Sequence, residues 1–177
     1  MKMRFVLVCG LILSVVTSKA QTAFEEISAD PNKSASVYYA YPEISEQYTL
    51  PPEGYTPFYI SHYGRHGSRY LISDSEYQTV MEILDKADAV GFLTDKGKSV
   101  RSRLEVVWRD AEGLGGQLTP LGYRQHRSIS ERMFYNFPDV FKGKRKISAC
   151  STVVIRCALS MATFCETLKG LNPELQF

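Results

Sequence analysis

The stretch Tyr59-Ile-Ser-His-Tyr-Gly-Arg-His-Gly-Ser-Arg69 constrains this chain more than any other. Phe58-Tyr59-Ile60 is apolar and β-prone, with Pro57 before it and glycine soon after, which predicts a short buried strand over Phe58–Ser61. The strand runs into Gly64-Arg65-His66-Gly67-Ser68-Arg69. Glycines on either side of an Arg-His pair let the backbone turn sharply and approach a ligand closely. Two arginines and an imidazole then crowd one loop at the carboxyl end of a strand, where open α/β sheets place their sites. Arginine presents a planar fork of donors that matches phosphate oxygens, and a neutral imidazole between such groups is a nucleophile suited to phosphorus.

The rest of the chain supplies helices and a second strand-turn-helix unit. Asp74 or Ser75 starts a helix with the stripe Val80, Ile83, Leu84 and Ala87, ended by Gly91. Thr94 or Asp95 starts another, with Val100, Leu104, Val107, Trp108 and Ala111 on one face, broken by Gly113 to Gly116. Thr119 caps a third with Pro120 at its first position, running to about Asn136. A second strand is predicted at Ile147–Ala149, parallel and adjacent to the first, so that His66 and Cys150 lie at the two carboxyl ends. Ser151 or Thr152 then caps a last helix whose inward face is Val154, Ala158, Met161, Cys165 and Leu168, closed by Gly170. The basic run Lys142 to Lys146 reads as a solvated face.

At the amino end, Lys2 and Arg4 precede the apolar run Phe5 to Val16, and Thr17 to Ala20 offers small residues for cleavage. This is the pattern of a signal peptide over residues 1–20, and it predicts a periplasmic or secreted product with no membrane segment after cleavage. Its loss removes three basic residues and leaves 18 basic against 19 acidic, a charge of −1 that gives no sign of a nucleic-acid partner. Residues 21–56 read as an irregular arm carrying five tyrosines, Tyr38, Tyr39, Tyr41, Tyr48 and Tyr55, and residues 57–177 as the domain. Cys150, Cys157 and Cys165 remain; the last two are eight residues apart on one helix, about 12 Å, too far for a disulfide, and buried free thiols are expected.

Three blocks within residues 57–170 resemble the acid phosphatase branch of the histidine phosphatase superfamily: Arg65-His66-Gly67-Ser68-Arg69; Gly116-Gln117-Leu118-Thr119-Pro120-Leu121-Gly122 with Gln125-His126; and Ser151-Thr152 through Arg156 to Ser160-Met161-Ala162. Tyr70 and the wording of the second block are most similar to multiple inositol polyphosphate phosphatases, the phytase-like members. The resemblance implies a phosphoglycerate-mutase-like three-layer α/β sandwich with a helical insert at about residues 74–136. It implies phosphomonoester hydrolysis through a phosphohistidine on His66, with Arg65 and Arg69 clamping the phosphoryl oxygens, and no metal or cofactor. His126 takes a supporting role, and His62 is packed or hydrogen-bonded. The substrate would be a phosphorylated small molecule.

The chain departs from the family pattern at three places. Cys150 stands where the third block carries an arginine, and Leu71-Ile72 where many members carry Pro-Thr. Neither His-Asp nor His-Ala-Glu, the family's general-acid motifs, occurs. The expectation is an amino-terminal part of such an enzyme, incomplete at its carboxyl end, weakly active or inactive alone, with a complementing chain possible. A non-catalytic phosphate-binding remnant is the alternative; the phosphoglycerate mutase branch is disfavoured by Arg69 and the export signal.

Overall fold

A computed structural model describes residues 22–44 and 48–177 of the chain. The predicted signal peptide lies outside these residues. The chain divides after Tyr39 into two units.

The predicted irregular arm is largely helical over its first part, residues 23–38, and has no helix or strand over 39–44 and 48–56. Helix α1 spans Ala23–Ala29 and opens on a capping box: the Thr22 hydroxyl accepts from the Glu25 amide, and the Glu25 carboxylate accepts from the Thr22 amide at 2.9 Å. A 3-10 helix over Pro31–Tyr38 follows, with Asp30 capping it. Thr22-x-x-Glu25 was the legible signal for this start.

In the second unit most of the local helix signals act as read, though Asp74 precedes the first helix without a side-chain bond to it. Helix α2 spans Ser75–Ala89. It closes in a Schellman arrangement: Gly91, at φ 72°, donates to the Asp88 carbonyl, and Phe92 to that of Ala87. Helix α3 spans Asp95–Ala111 with Thr94 accepting from the Gly97 amide. Helix α4 spans Pro120–Asn136, capped by Thr119 with proline at its first position. A short α5, Pro138–Phe141, leads into the exposed basic run, and α6 spans Ile155–Leu171. Ser151 and Thr152 do not cap α6; Val154 occupies that position without a side-chain bond, and the helix runs one residue past Gly170.

The α/β sandwich is not what forms. Among the described residues there is no sheet, and pairing is limited to two isolated bridges, Arg69 with Leu118 and Lys146 with Gln176. Phe58–Ser61 forms no strand, and Phe58 and Tyr59 are 90% and 72% exposed. The predicted second strand reaches the carboxyl end of the chain instead of the first: Ile147 donates to the Gln176 carbonyl, and Gln176 to that of Arg145. His66 and Cys150 therefore do not stand at the ends of neighbouring strands. The physical reason is that β-propensity describes a fit to a half-buried pleated surface and does not itself supply a ladder partner. Ile60 and Ile147 each pack against an apolar cluster built on helices, Ile60 without a strand partner and Ile147 beside the bridge to Gln176 rather than beside Phe58–Ser61.

Packing is by helix pairs. Helices α4 and α6 lie against each other, as do α2 and α3. One core gathers Tyr70, Tyr77 and Ala111, with Leu71, Trp108 and Leu114 around them. The other gathers Phe141, Leu168 and Leu175, supported by Met133, Phe134 and Phe164 among others. The predicted stripes are only partly interior: Val80 is 48% and Ile83 62% exposed, while Trp108 and Met161 are half-buried. The described thiols are free, but Cys150 is exposed and Cys157 and Cys165 are half-buried, which corrects the expectation of buried sulfurs. No described helix is long and apolar enough to cross a membrane.

Candidate functional site

The loop Arg65–Arg69 is stitched to the start of α4 and to the side of α6. Its closest approach is glycine on glycine: a Cβ added to Gly67 would come within 2.5 Å of the Gly122 carbonyl oxygen, and one added to Gly122 would overlap the Ser68 carbonyl oxygen. That proximity lets main-chain groups bond across the junction. The Ser68 carbonyl accepts from both the amide and the hydroxyl of Thr119, each at 2.9 Å. The Ser68 amide donates to Gln125 Oε1 at 2.7 Å, and the Gly67 amide donates to Ser160 Oγ on α6 at 3.1 Å. Past the loop, Tyr70 donates to the Gln117 carbonyl and Gly116 to that of Leu71. The first and second sequence blocks, and the Ser160 end of the third, thus meet in space.

Within this frame His66 is half-buried, and its Nδ1 lies 2.7 Å from the Gly67 carbonyl oxygen. A carbonyl can only accept, so Nδ1 carries a proton, and in the neutral ring Nε2 is then the nitrogen with the lone pair. Arg69 is half-buried and donates from Nη1 to the Tyr70 carbonyl at 2.7 Å. Arg65 is exposed, with its guanidinium carbon 5.1 Å from the centroid of the Tyr41 ring.

The two other histidines flank the loop. His62 stacks on Phe164, centroids 5.2 Å apart and planes 8° from parallel. Its ring lies so close over Gly64 that a Cβ there would meet Nε2 at 2.8 Å. His126 is 4% exposed, and its Nε2 finds no hydrogen-bond partner among the described residues. Burial, first, and then the nearby charges of His62 and His66 hold its pKa below the ordinary imidazole value, against a bond to the Arg65 backbone that raises it. His126 is therefore held towards the neutral form, consistent with support rather than with charge.

Arg156 stands in the third sequence block, where it was given no role of its own. It sits in the first turn of α6, four residues before Ser160 and so on the same face as the serine that binds Gly67. It is half-buried, with Nη1 3.4 Å from the Gly116 carbonyl oxygen and with Nε unpartnered among the described residues. The four-residue spacing to Ser160 was the available signal. No side chain caps α6 and no acidic residue lies in its first turn, so its N-terminus adds positive potential beside Arg156. Cys150, by contrast, lies in the exposed run Ser148–Val154. No group of three or more His, Cys, Asp or Glu among the described residues could hold a metal ion. No protein-family model matches the chain, and no curated protein matches it.

Proposed function

We propose that the chain is a phosphoryl-handling protein of the histidine acid phosphatase kind, with His66 as the nucleophile towards phosphomonoesters. The observation that carries this reading is the Nδ1 contact of His66 with the Gly67 carbonyl, because it leaves Nε2 as the basic nitrogen of a ring fixed in one tautomer. Nε2 would bond to phosphorus as the ester P–O bond breaks, the leaving alkoxide taking a proton, and water would then release phosphate from the phosphohistidine. Arg65 and Arg69 would bind the phosphoryl oxygens, where charge grows in the transition state. Arg156 is proposed as the third guanidinium, in the role that Cys150 cannot fill, since a thiol offers only a weak single donor.

The substrate class is a phosphorylated small molecule, with inositol polyphosphates such as phytate as the first candidates on the resemblance of the three blocks. Without a His-Asp or His-Ala-Glu acid, protonation of the leaving group falls to water, and turnover by this chain is expected to be slow. A purely phosphate-binding role is the second reading, favoured by that missing acid. Export is proposed on the composition of residues 1–20 alone.

The test is trapping with 32P-labelled phytate followed by denaturation. Label that is stable to base and lost in acid, present in the wild type and absent from His66→Ala, is the expected result. Incorporation that survives His66→Ala would overturn the assignment of the nucleophile. Phosphate binding without any incorporation would leave the binding role in its place.

A further inference from the structure

We propose that Tyr41 is a positioning residue for Arg65 and His66, reaching the candidate site from 24 residues upstream. This role rests on Arg65 being a phosphate ligand. Tyr41 makes three contacts, all converging on the loop. Its hydroxyl donates to the Arg65 carbonyl oxygen at 2.6 Å. Its ring lies under the Arg65 guanidinium, 5.1 Å from centroid to carbon, within the range of a cation–π interaction. Its ring also meets His126 edge-on at 5.9 Å, and His126 itself bonds the Arg65 backbone.

The consequence follows from peptide geometry. The Arg65 carbonyl and the His66 amide belong to one planar unit. Holding that oxygen fixes the plane from which His66 leaves the chain. On the far side the Gly67 amide is held by Ser160, and the His66 ring is held by the Gly67 carbonyl. His66 is thus fixed from both neighbours, one of them through Tyr41. The same phenol ring limits where the long Arg65 side chain can place its fork, which prepares the fork for an oxyanion before the ligand arrives. A tyrosine used only for packing would have its hydroxyl elsewhere.

The experiment is a titration of the full chain with inorganic phosphate, followed by 15N NMR, for the wild type, Tyr41→Phe and Tyr41→Leu. Phenylalanine keeps the ring and loses the hydroxyl; leucine loses both. Phosphate affinity is expected to fall about threefold to tenfold in Tyr41→Phe and further in Tyr41→Leu. The Arg65 Nε–H and the His66 amide resonances should move in both variants before phosphate is added, with the urea midpoint of Tyr41→Phe lowered by no more than one lost hydrogen bond accounts for. Unmoved resonances with wild-type affinity in both variants overturn the role of Tyr41 while leaving the site intact. A loss of affinity in Tyr41→Phe that only tracks a lower unfolding midpoint overturns it too, as plain structural damage. A wild type that binds no phosphate overturns the site reading, and with it the role given to Tyr41.

Discussion

Gly67 and Gly122 show what a single residue does in this chain. Neither has a positive φ among the glycines that do, so their need for glycine is one of space. Gly67 faces main chain, which cannot swing aside as a flexible side chain would. Gly67→Ala should therefore destabilise the protein by about 1–3 kcal/mol, the range for forcing extra volume into a filled site. It should also weaken any phosphate binding, because the strap bonds of Ser68 depend on the same approach. Gly170 is the control: it lies within α6 and an added Cβ there would meet nothing within 4 Å. Gly170→Ala should stabilise by about 0.5–1 kcal/mol. Urea midpoints of the two variants test the pair; similar shifts of the same sign would show that the loop is not packed as described. At this scale the sequence already put Arg65, His66 and Arg69 within five residues of one loop, so their nearness needs no long-range contact. It named Tyr41 and Ser160 without their contacts, which exist only once distant segments have met.

Among the elements, most starts and stops were legible, those of α6 excepted, and pairing was not. Thr94 and Thr119 accept from amides three positions on, Gly91 donates three positions back, and Pro120 brings a preset φ to the first helical position, so local chemistry fixes these ends. A strand is defined by a partner elsewhere in the chain, and neither Phe58–Ser61 nor Ile147–Ala149 carries information about its partner. Thr119 separates local from distant work. Thr94 only caps α3, whereas Thr119 caps α4 through Gly122 and also donates to the Ser68 carbonyl. Thr94→Ala should cost about 1 kcal/mol, as a lost cap. Thr119→Ala should cost about 2 kcal/mol, since a further hydrogen bond of about 1 kcal/mol is lost with it. Thr119→Ser keeps both bonds and should recover most of the difference. Equal costs for the two alanine variants, read from urea unfolding, would mean that the strap to the loop carries no energy.

At the scale of the molecule, the second unit has two cores where a sheet would have joined them. The Tyr70–Tyr77–Ala111 cluster serves α2 and α3, and the Phe141–Leu168–Leu175 cluster serves α4 and α6. The stitching around Ser68 and Gly116 is mostly polar and runs between them. Each large apolar side chain left in water forgoes about 1.5–3 kcal/mol, and Phe58, Tyr59, Tyr63, Val80, Ile83, Val153 and Ile155 are among those exposed. Net stabilities of whole domains are only about 5–15 kcal/mol, so losses of this size decide whether folding is cooperative. Extended segments with unpaired backbone near exposed aromatic residues also invite pairing with another chain. The expected behaviour of the purified chain is a broad, low thermal transition, binding of a hydrophobic dye at ambient temperature, and association that grows with concentration in sedimentation. Phe58→Ser with Tyr59→Ser should reduce the association without lowering the transition, because neither side chain is interior. A monodisperse monomer with one sharp transition well above ambient temperature would show instead that two small cores and their polar stitching suffice.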